Sequence, residues 1–146
     1  MADVLRLDDQ LCFALHAASR AMTGAYQPLL EQLGVTYPQY LVLMALWEEE
    51  GARVSRLGER LHLDSATLTP LLKRLEARAL VERRRSQVDE RVVEVFLTAE
   101  GRALEQRALA LFPGLMCKTR LSLEELARLR DTLRELTRTL HEATGE

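Results

Sequence analysis

Apolar residues recur at intervals of three and four over the first part of the chain. Between residues 8 and 32 they form one stripe, which predicts a long first helix. Gly34 supplies a stop signal and Thr36 a start signal. A second helix is therefore expected from Pro38 to about Glu49, with the proline at a position that needs no backbone N–H.

Two short amphipathic segments follow Gly51 and are joined at residues 62–64, which is typical of a helix-turn-helix. Asp64 or Ser65 is expected to cap the second helix. Because Pro70 lies beyond the first turn of that helix, local strain or a later helix start is predicted. The leucines face inward, and the polar side chains left for base edges and phosphates are Ser65, Thr67, Thr69, Lys73 and Arg74.

The segments 80–85 and 92–97 are rich in residues that favour strands, and a polar stretch containing Val88 lies between them. This pattern predicts a hairpin with a mobile tip. A run of arginines is most often a solvated strand. On a hairpin that follows a helix-turn-helix, the run instead favours a wing that contacts the DNA backbone or minor groove. The arginines expected to do so are Arg83, Arg84, Arg85 and Arg91.

The carboxy-terminal part of the chain predicts two further helices. Thr98 caps the first, which Pro113 and Gly114 are expected to interrupt or kink. Ser122 and Glu125 have the spacing of a capping box at the start of the second, whose leucines form a stripe.

One winged module is too small to cover that leucine stripe together with the first helix. We therefore predict a homodimer in which residues 1–50 and 99–146 form the dimerisation helices. Residues 51–98 are predicted to form the winged helix-turn-helix module. The fold class expected is mainly α, with long terminal helices in a dimerisation domain.

The net charge of −2 at first argues against a nucleic-acid partner. The charge is unevenly distributed, however, because residues 53–91 carry a net +4 and the remaining residues a net −6. A basic centre between acidic ends is typical of a DNA-binding module flanked by helices with another purpose. Double-stranded DNA is therefore the partner predicted.

No apolar run approaches the ~20 residues that span a bilayer, and the first residues are acidic, so a cytoplasmic protein without a membrane partner is expected. In a reducing cytoplasm, Cys12 and Cys117 are each either inert apolar residues or reactive thiols. The three histidines have no metal-ligand spacing, and phosphate-binding loops and nucleophile elbows are absent. No metal, cofactor or enzymatic activity is predicted.

The predicted recognition helix and wing lie in the stretch DSATLTPLLKRLEARALVERRRSQVDERVVEVFLTAEGR, in which the wing carries Asp89 and Arg91 and Leu97-Thr98-Glu100-Gly101 closes the module. This layout is the most specific part of a resemblance, over the whole chain, to the MarR family of bacterial transcription regulators. The resemblance adds Asp89 to the predicted DNA-binding residues. The segment LDDQLCFALHAASRAMTGAYQPLLEQLGVTYPQYLVLMALWE is similar to the group of organic-hydroperoxide-sensing repressors.

That resemblance implies a peroxide-sensing mechanism. Cys12 matches the sensing thiol, and Tyr26 and Tyr37 match two tyrosines that the other subunit contributes as hydrogen-bond partners. Cys117 matches a second cysteine that forms an intersubunit disulfide with the oxidised first one. His16 departs from the pattern, since some members have a further tyrosine there. Organic hydroperoxides are the effectors implied.

Plainer interpretations stand beside each of these assignments. Cys12 could be a buried core thiol, Cys117 a helix-packing residue and the two tyrosines ordinary interface residues. A repressor released by a small aromatic ligand would need neither cysteine. A thiol peroxidase is a third alternative, which the basic helix-turn-helix and wing disfavour.

Overall fold

The computed structural model describes residues 2–145 and is a mainly α winged helix-turn-helix. Two short 3-10 turns, Ala2–Leu5 and Leu7–Asp9, precede the first α-helix. The helices are α1 (Leu11–Ala25), α2 (Gln27–Leu33), α3 (Tyr37–Glu48), α4 (Val54–Leu61), α5 (Ser65–Ala77), α6 (Ala99–Cys117) and α7 (Leu123–Thr144). The strands are β1 (Ala52–Arg53), β2 (Val81–Arg85) and β3 (Val93–Leu97), and none of the described helices is both long and apolar enough to cross a bilayer.

The prediction of one continuous helix over residues 8–32 is wrong, because α1 ends at Ala25 and α2 begins at Gln27. Pro28 lies in the first turn of α2, where its missing N–H is tolerated, but it could not continue the hydrogen-bond ladder of α1. Gly34 ends α2 in the left-handed region with φ 71°, as its position in the sequence predicted.

Helix α3 forms the centre of the core. Its predicted start is confirmed by a capping box in which the Thr36 hydroxyl accepts from the Gln39 N–H and the Gln39 side chain accepts from the Thr36 N–H. Val42, Leu43 and Leu46 on α3 are fully buried. This helix supports the helix-turn-helix, because it packs against both α4 and α5.

The predicted joint at residues 62–64 is confirmed. His62 is left-handed with φ 56°, and the Asp64 carboxylate caps α5 by accepting from the Thr67 N–H at 2.8 Å. The turn also needs a glycine at position 58, where an added Cβ would lie 2.8 Å from the Leu63 carbonyl oxygen. The later helix start suggested by Pro70 is wrong, since α5 runs from Ser65 through the proline.

Both predicted wing strands are present in a three-stranded antiparallel sheet of order β1-β3-β2. Strand β1 was not predicted, because two residues are too few to show alternation. At the end of the wing, the Thr98 hydroxyl donates to the Ala79 carbonyl at 2.6 Å and accepts from the Gly101 N–H at 3.1 Å, which confirms it as the cap of α6.

The expected interruption of α6 at Pro113 is wrong, because the helix continues to Cys117. The chain nevertheless divides there into two compact units, one ending at Phe112 and one beginning at Pro113. In the second unit, the predicted capping box of Ser122 and Glu125 is present at the start of α7. No residue of α7 between Leu123 and Thr144 is buried.

Candidate nucleic-acid interface and thiol site

Helix α5 presents a polar outer face of the kind that reads DNA. Its leucines Leu68, Leu71, Leu72 and Leu75 are buried against the module, as their spacing predicted. The side chains of Ser65, Thr67, Lys73 and Arg74 are exposed, and Thr69 is half-buried. The predicted recognition residues therefore share the solvent side of one helix.

The three consecutive arginines of β2 do not share one environment, because neighbouring side chains of a strand point to opposite faces. Arg83 faces α5, where its Nη2 lies 3.0 Å from Oε1 of Glu76. Arg84 points to the other face, pairs with Glu82 at 3.1 Å and lies 4.4 Å above the Phe96 ring. The two guanidinium groups are thus already engaged within the protein.

A hydrogen-bond network holds the tip of the wing, where the sequence predicted mobility. The buried Ser86 hydroxyl accepts from the N–H groups of Val88 and Asp89. The Asp89 carboxylate accepts from Nε and Nη2 of Arg91 at 3.1 Å each. These bonds hold the pKa of Asp89 below its usual value, and the charge of Arg53 contributes. The Arg91 side chain is 90% exposed, so this tip presents an oriented cation to solvent.

A groove of about 320 Å³ lies between the start of α4, the outer side of α5 and the wing. Arg53, Thr69, Arg83 and Arg91 line part of it. Arg53 belongs to the basic centre of the sequence but was not among the predicted site residues. The one signal in the sequence is that Arg53 immediately precedes the helix-turn-helix, at the N-cap position of α4.

Tyr26 and Tyr37, which the resemblance matches to two hydrogen-bond partners of one sulfur, lie together. Their ring centroids are 5.2 Å apart in an edge-on arrangement. Tyr40, which was not predicted as a site residue, lies 5.7 Å from Tyr26 and 6.1 Å from Trp47. Burial, followed by the neighbouring phenols, raises the pKa of Tyr26 to about 12, and burial also raises the pKa of Tyr37. Both phenols are therefore protonated hydrogen-bond donors at neutral pH.

Cys12 is the second residue of α1 and is exposed, so the alternative of a buried core thiol does not describe this subunit. Tyr26, the C-cap of α1, lies fourteen positions after it along helical backbone. At 1.5 Å per residue these positions are about 21 Å apart. A hydrogen bond between this sulfur and the phenol of the same chain is therefore excluded.

Cys117 is the last residue of α6, belongs to the unit that begins at Pro113 and is also exposed.

Within residues 2–145 no three His, Cys, Asp or Glu side chains are grouped so that they could hold a metal ion.

Sequence comparison places the chain among bacterial transcription regulators. The family model described as transcriptional regulator SarA/Rot matches residues 25–107. The organic hydroperoxide resistance transcriptional regulator of Bacillus subtilis is 46% identical over 140 residues, which are 96% of this chain and 95% of the relative. The chain belongs to the MarR/SarA family of transcription regulators, in the organic hydroperoxide group.

Solved structures of transcription regulators are also similar to this chain. The structure of reduced AbfR bound to DNA, a protein of Staphylococcus epidermidis, has a TM-score of 0.79 at 38% identity and covers 97% of each chain. The structure of disulfide-formed AbfR has a TM-score of 0.65 at 35% identity, covering 99% of this chain and 97% of that one. These relatives are DNA-binding regulators, which agrees with the expectation that the MarR/SarA-type chain is not an enzyme.

Proposed function

We propose that this chain is a homodimeric operator-binding repressor that organic hydroperoxides release through oxidation of Cys12. The arrangement of the thiol and the two phenols carries the proposal. Cys12 is exposed, whereas Tyr26, which pairs with Tyr37, lies about 21 Å away at the other end of α1. A second copy of the chain can supply the phenols that the first copy cannot.

Exposed apolar side chains on the terminal helices support the dimer. Helix α1 has no buried residue, and Leu11 and Phe13 beside the sensing thiol are 63% and 39% exposed. Helix α7 also has none, and Leu129 and Leu140 are 50% and 53% exposed. Soluble proteins rarely leave such faces uncovered. We therefore assign residues 1–50 and 99–146 to dimerisation and residues 51–98 to DNA binding.

The sensing chemistry begins with the Cys12 thiolate, because a thiol reacts far more slowly. Phenolic O–H groups supplied by the second copy can donate hydrogen bonds to this sulfur. The sulfur attacks one peroxide oxygen, the O–O bond breaks, and the alkoxide leaves and takes up a proton as an alcohol. Cys12 is then a sulfenic acid, oxidised by two electrons while the peroxide is reduced.

The second step condenses this sulfenic acid with the partner subunit's Cys117. A sulfur–sulfur bond forms, the sulfur–oxygen bond breaks and water leaves. A disulfide requires the two Cα atoms to lie within ~7 Å of each other, which constrains how the subunits are arranged. We propose that this constraint changes the spacing of the two wings, which must match half-sites about one helical turn (~34 Å) apart.

On the DNA side, we assign Ser65, Thr67 and Thr69 to base edges. Lys73, Arg74, Arg85 and Arg91 are assigned to the phosphate backbone or minor groove, with Asp89 orienting Arg91. Similarity to AbfR, which has been solved bound to DNA, supports this assignment.

The test compares wild type, Cys12→Ser and Cys117→Ser before and after addition of cumene hydroperoxide. Operator binding is followed by fluorescence anisotropy, and covalent dimers by a non-reducing gel. We expect wild type to leave the operator and run as a covalent dimer, and Cys12→Ser to do neither. Cys117→Ser should form no covalent dimer. Release of Cys12→Ser by the peroxide would refute the redox mechanism and favour release by a small ligand.

A turnover measurement separates a sensor from a peroxidase. We expect each subunit to consume about one peroxide in the absence of a reductant. Sustained catalytic consumption with a small thiol would instead support the enzymatic alternative.

A further inference from the structure

A single carboxylate on the recognition helix makes three hydrogen bonds to one residue of the wing. Oε2 of Glu76 accepts from the Arg83 backbone N–H at 3.0 Å. Oε1 accepts from Nε at 3.2 Å and from Nη2 at 3.0 Å of the same residue. The side chains of Arg83 and Glu76 are only 27% and 37% exposed. Both N–H groups of the guanidinium fork thus converge on one carboxylate oxygen while the backbone N–H takes the other, and charge-assisted bonds of this kind are stronger than neutral hydrogen bonds.

The hydrogen bond from the Arg83 backbone N–H gives a partner to a donor at the open edge of the sheet. Strand β2 is an edge strand in the order β1-β3-β2, and the N–H of Ser86 points toward β3, where it donates to the Val92 carbonyl. Because N–H directions alternate along a strand, the Arg83 N–H points to the open edge. Glu76 occupies that edge and connects the last part of α5 to the middle of β2.

We propose that Glu76 and Arg83 form a clamp that fixes the angle between recognition helix and wing, and that Arg83 is a positioning residue rather than a DNA contact. This inference rests on the DNA binding proposed above. The connection between α5 and β2 consists of residues 78–80, with Ala79 left-handed at φ 59°. Without the clamp, the wing angle would depend on that short connection and on the packing of the sheet against α3, α4 and α5.

The neighbouring ion pair of the same strand provides a matched control. Glu82 pairs with Arg84 at 3.1 Å, but both residues lie on β2, so this pair joins no two elements. Removing either carboxylate deletes one negative charge from the DNA-binding module. Charge alone predicts tighter DNA binding for both variants, whereas the clamp predicts weaker binding for Glu76 variants only.

The experiment measures operator affinity of the reduced protein over a range of salt concentrations. We expect Glu76→Gln to weaken binding about tenfold, the scale of one charged hydrogen bond, and Glu82→Gln to leave binding unchanged or tighter. Arg83→Lys, which keeps the charge but loses the fork, should behave like Glu76→Gln. The double variant Glu76→Gln/Arg83→Lys should be no weaker than either single variant, because both remove the same interaction.

Salt dependence separates positioning from direct contact. The slope of log affinity against log salt should be unchanged in Arg83→Gln, while Arg91→Gln lowers its magnitude by about 1 per wing. The clamp is refuted if Arg83→Gln lowers the slope as Arg91→Gln does and Glu76→Gln binds as well as wild type.

Amide hydrogen exchange tests the clamp without DNA. The Arg83 amide should exchange slowly in wild type and at least tenfold faster in Glu76→Ala, while the Val95 amide in the central strand stays protected. Fast exchange of the Arg83 amide in wild type would overturn the clamp. A wild-type protein that binds no operator would instead refute the proposed function, so the two failures are distinguishable.

Discussion

Replacement of Gly101 by alanine should destabilise the protein, although helix propensity predicts the opposite. Gly101 lies in the first turn of α6, where alanine normally stabilises a helix by about 1 kcal/mol over glycine. At this position an added Cβ would lie 2.2 Å from the Leu80 carbonyl oxygen and 3.2 Å from Cδ2 of Leu97. Ordinary contacts would require the Leu80 backbone and α6 to separate by roughly 1 Å.

That separation would strain a cluster of hydrogen bonds at the base of the wing. The Leu80 carbonyl accepts from the Thr98 N–H at 3.1 Å, and the Thr98 hydroxyl donates to the Ala79 carbonyl at 2.6 Å. Overpacking typically costs 1–3 kcal/mol and a weakened hydrogen bond about 1 kcal/mol. After subtraction of the helix gain, we expect a net loss of about 1–3 kcal/mol.

Thermal unfolding followed by circular dichroism, at one fixed protein concentration, measures this effect. A loss of that size lowers the Tm by roughly 3–10 °C for a chain of this length. Gly114→Ala is the matched control in the same helix, because no atom lies within 4 Å of the Cβ position there. Its Tm should rise slightly. A Gly101→Ala protein that melts at or above the wild-type temperature would refute the packing argument.

Three further predictions concern the wing, the aromatic cluster and alkaline stability. Arg91→Gln should weaken operator binding by about 1 kcal/mol or more and flatten its salt dependence, and unchanged affinity at every salt concentration would exclude Arg91 from the interface. Trp47→Phe should lower stability by about 1 kcal/mol in urea denaturation, since the indole N–H donates to the Gly101 carbonyl at 2.9 Å, and an unchanged midpoint would contradict this. The pKa of Tyr26 is raised from 10.0 to about 12 in the folded protein. The stability that the protonated phenol contributes is therefore complete below pH 10 and is lost as the pH rises to 12. Tyr26→Phe should reduce this alkaline loss of stability.

Local patterns in the sequence were sufficient to predict those features that depend on one residue and its near neighbours, such as helix caps and the buried face of a helix. The caps at Thr36, Asp64 and Ser122 were predictable because a capping side chain bonds to a backbone N–H within the next three residues. The buried leucines of α5 were predictable from helical periodicity. Proline was a less reliable guide, since Pro28 marks a helix break while α5 and α6 continue through Pro70 and Pro113. Packing on the rest of the module decides between these outcomes.

The sequence by itself determined the order of the helix-turn-helix, the wing and the two carboxy-terminal helices, together with the basic centre and the residue types suited to peroxide sensing. Only the tertiary structure decided what Arg83 and Arg84 contact, because strand alternation and the distant Glu76 and Phe96 set their environments. Likewise, the closeness of Tyr26 to Tyr37 depends on how α2 folds back between them. Contacts between residues far apart in sequence follow from the path of the whole chain, and no local pattern encodes them.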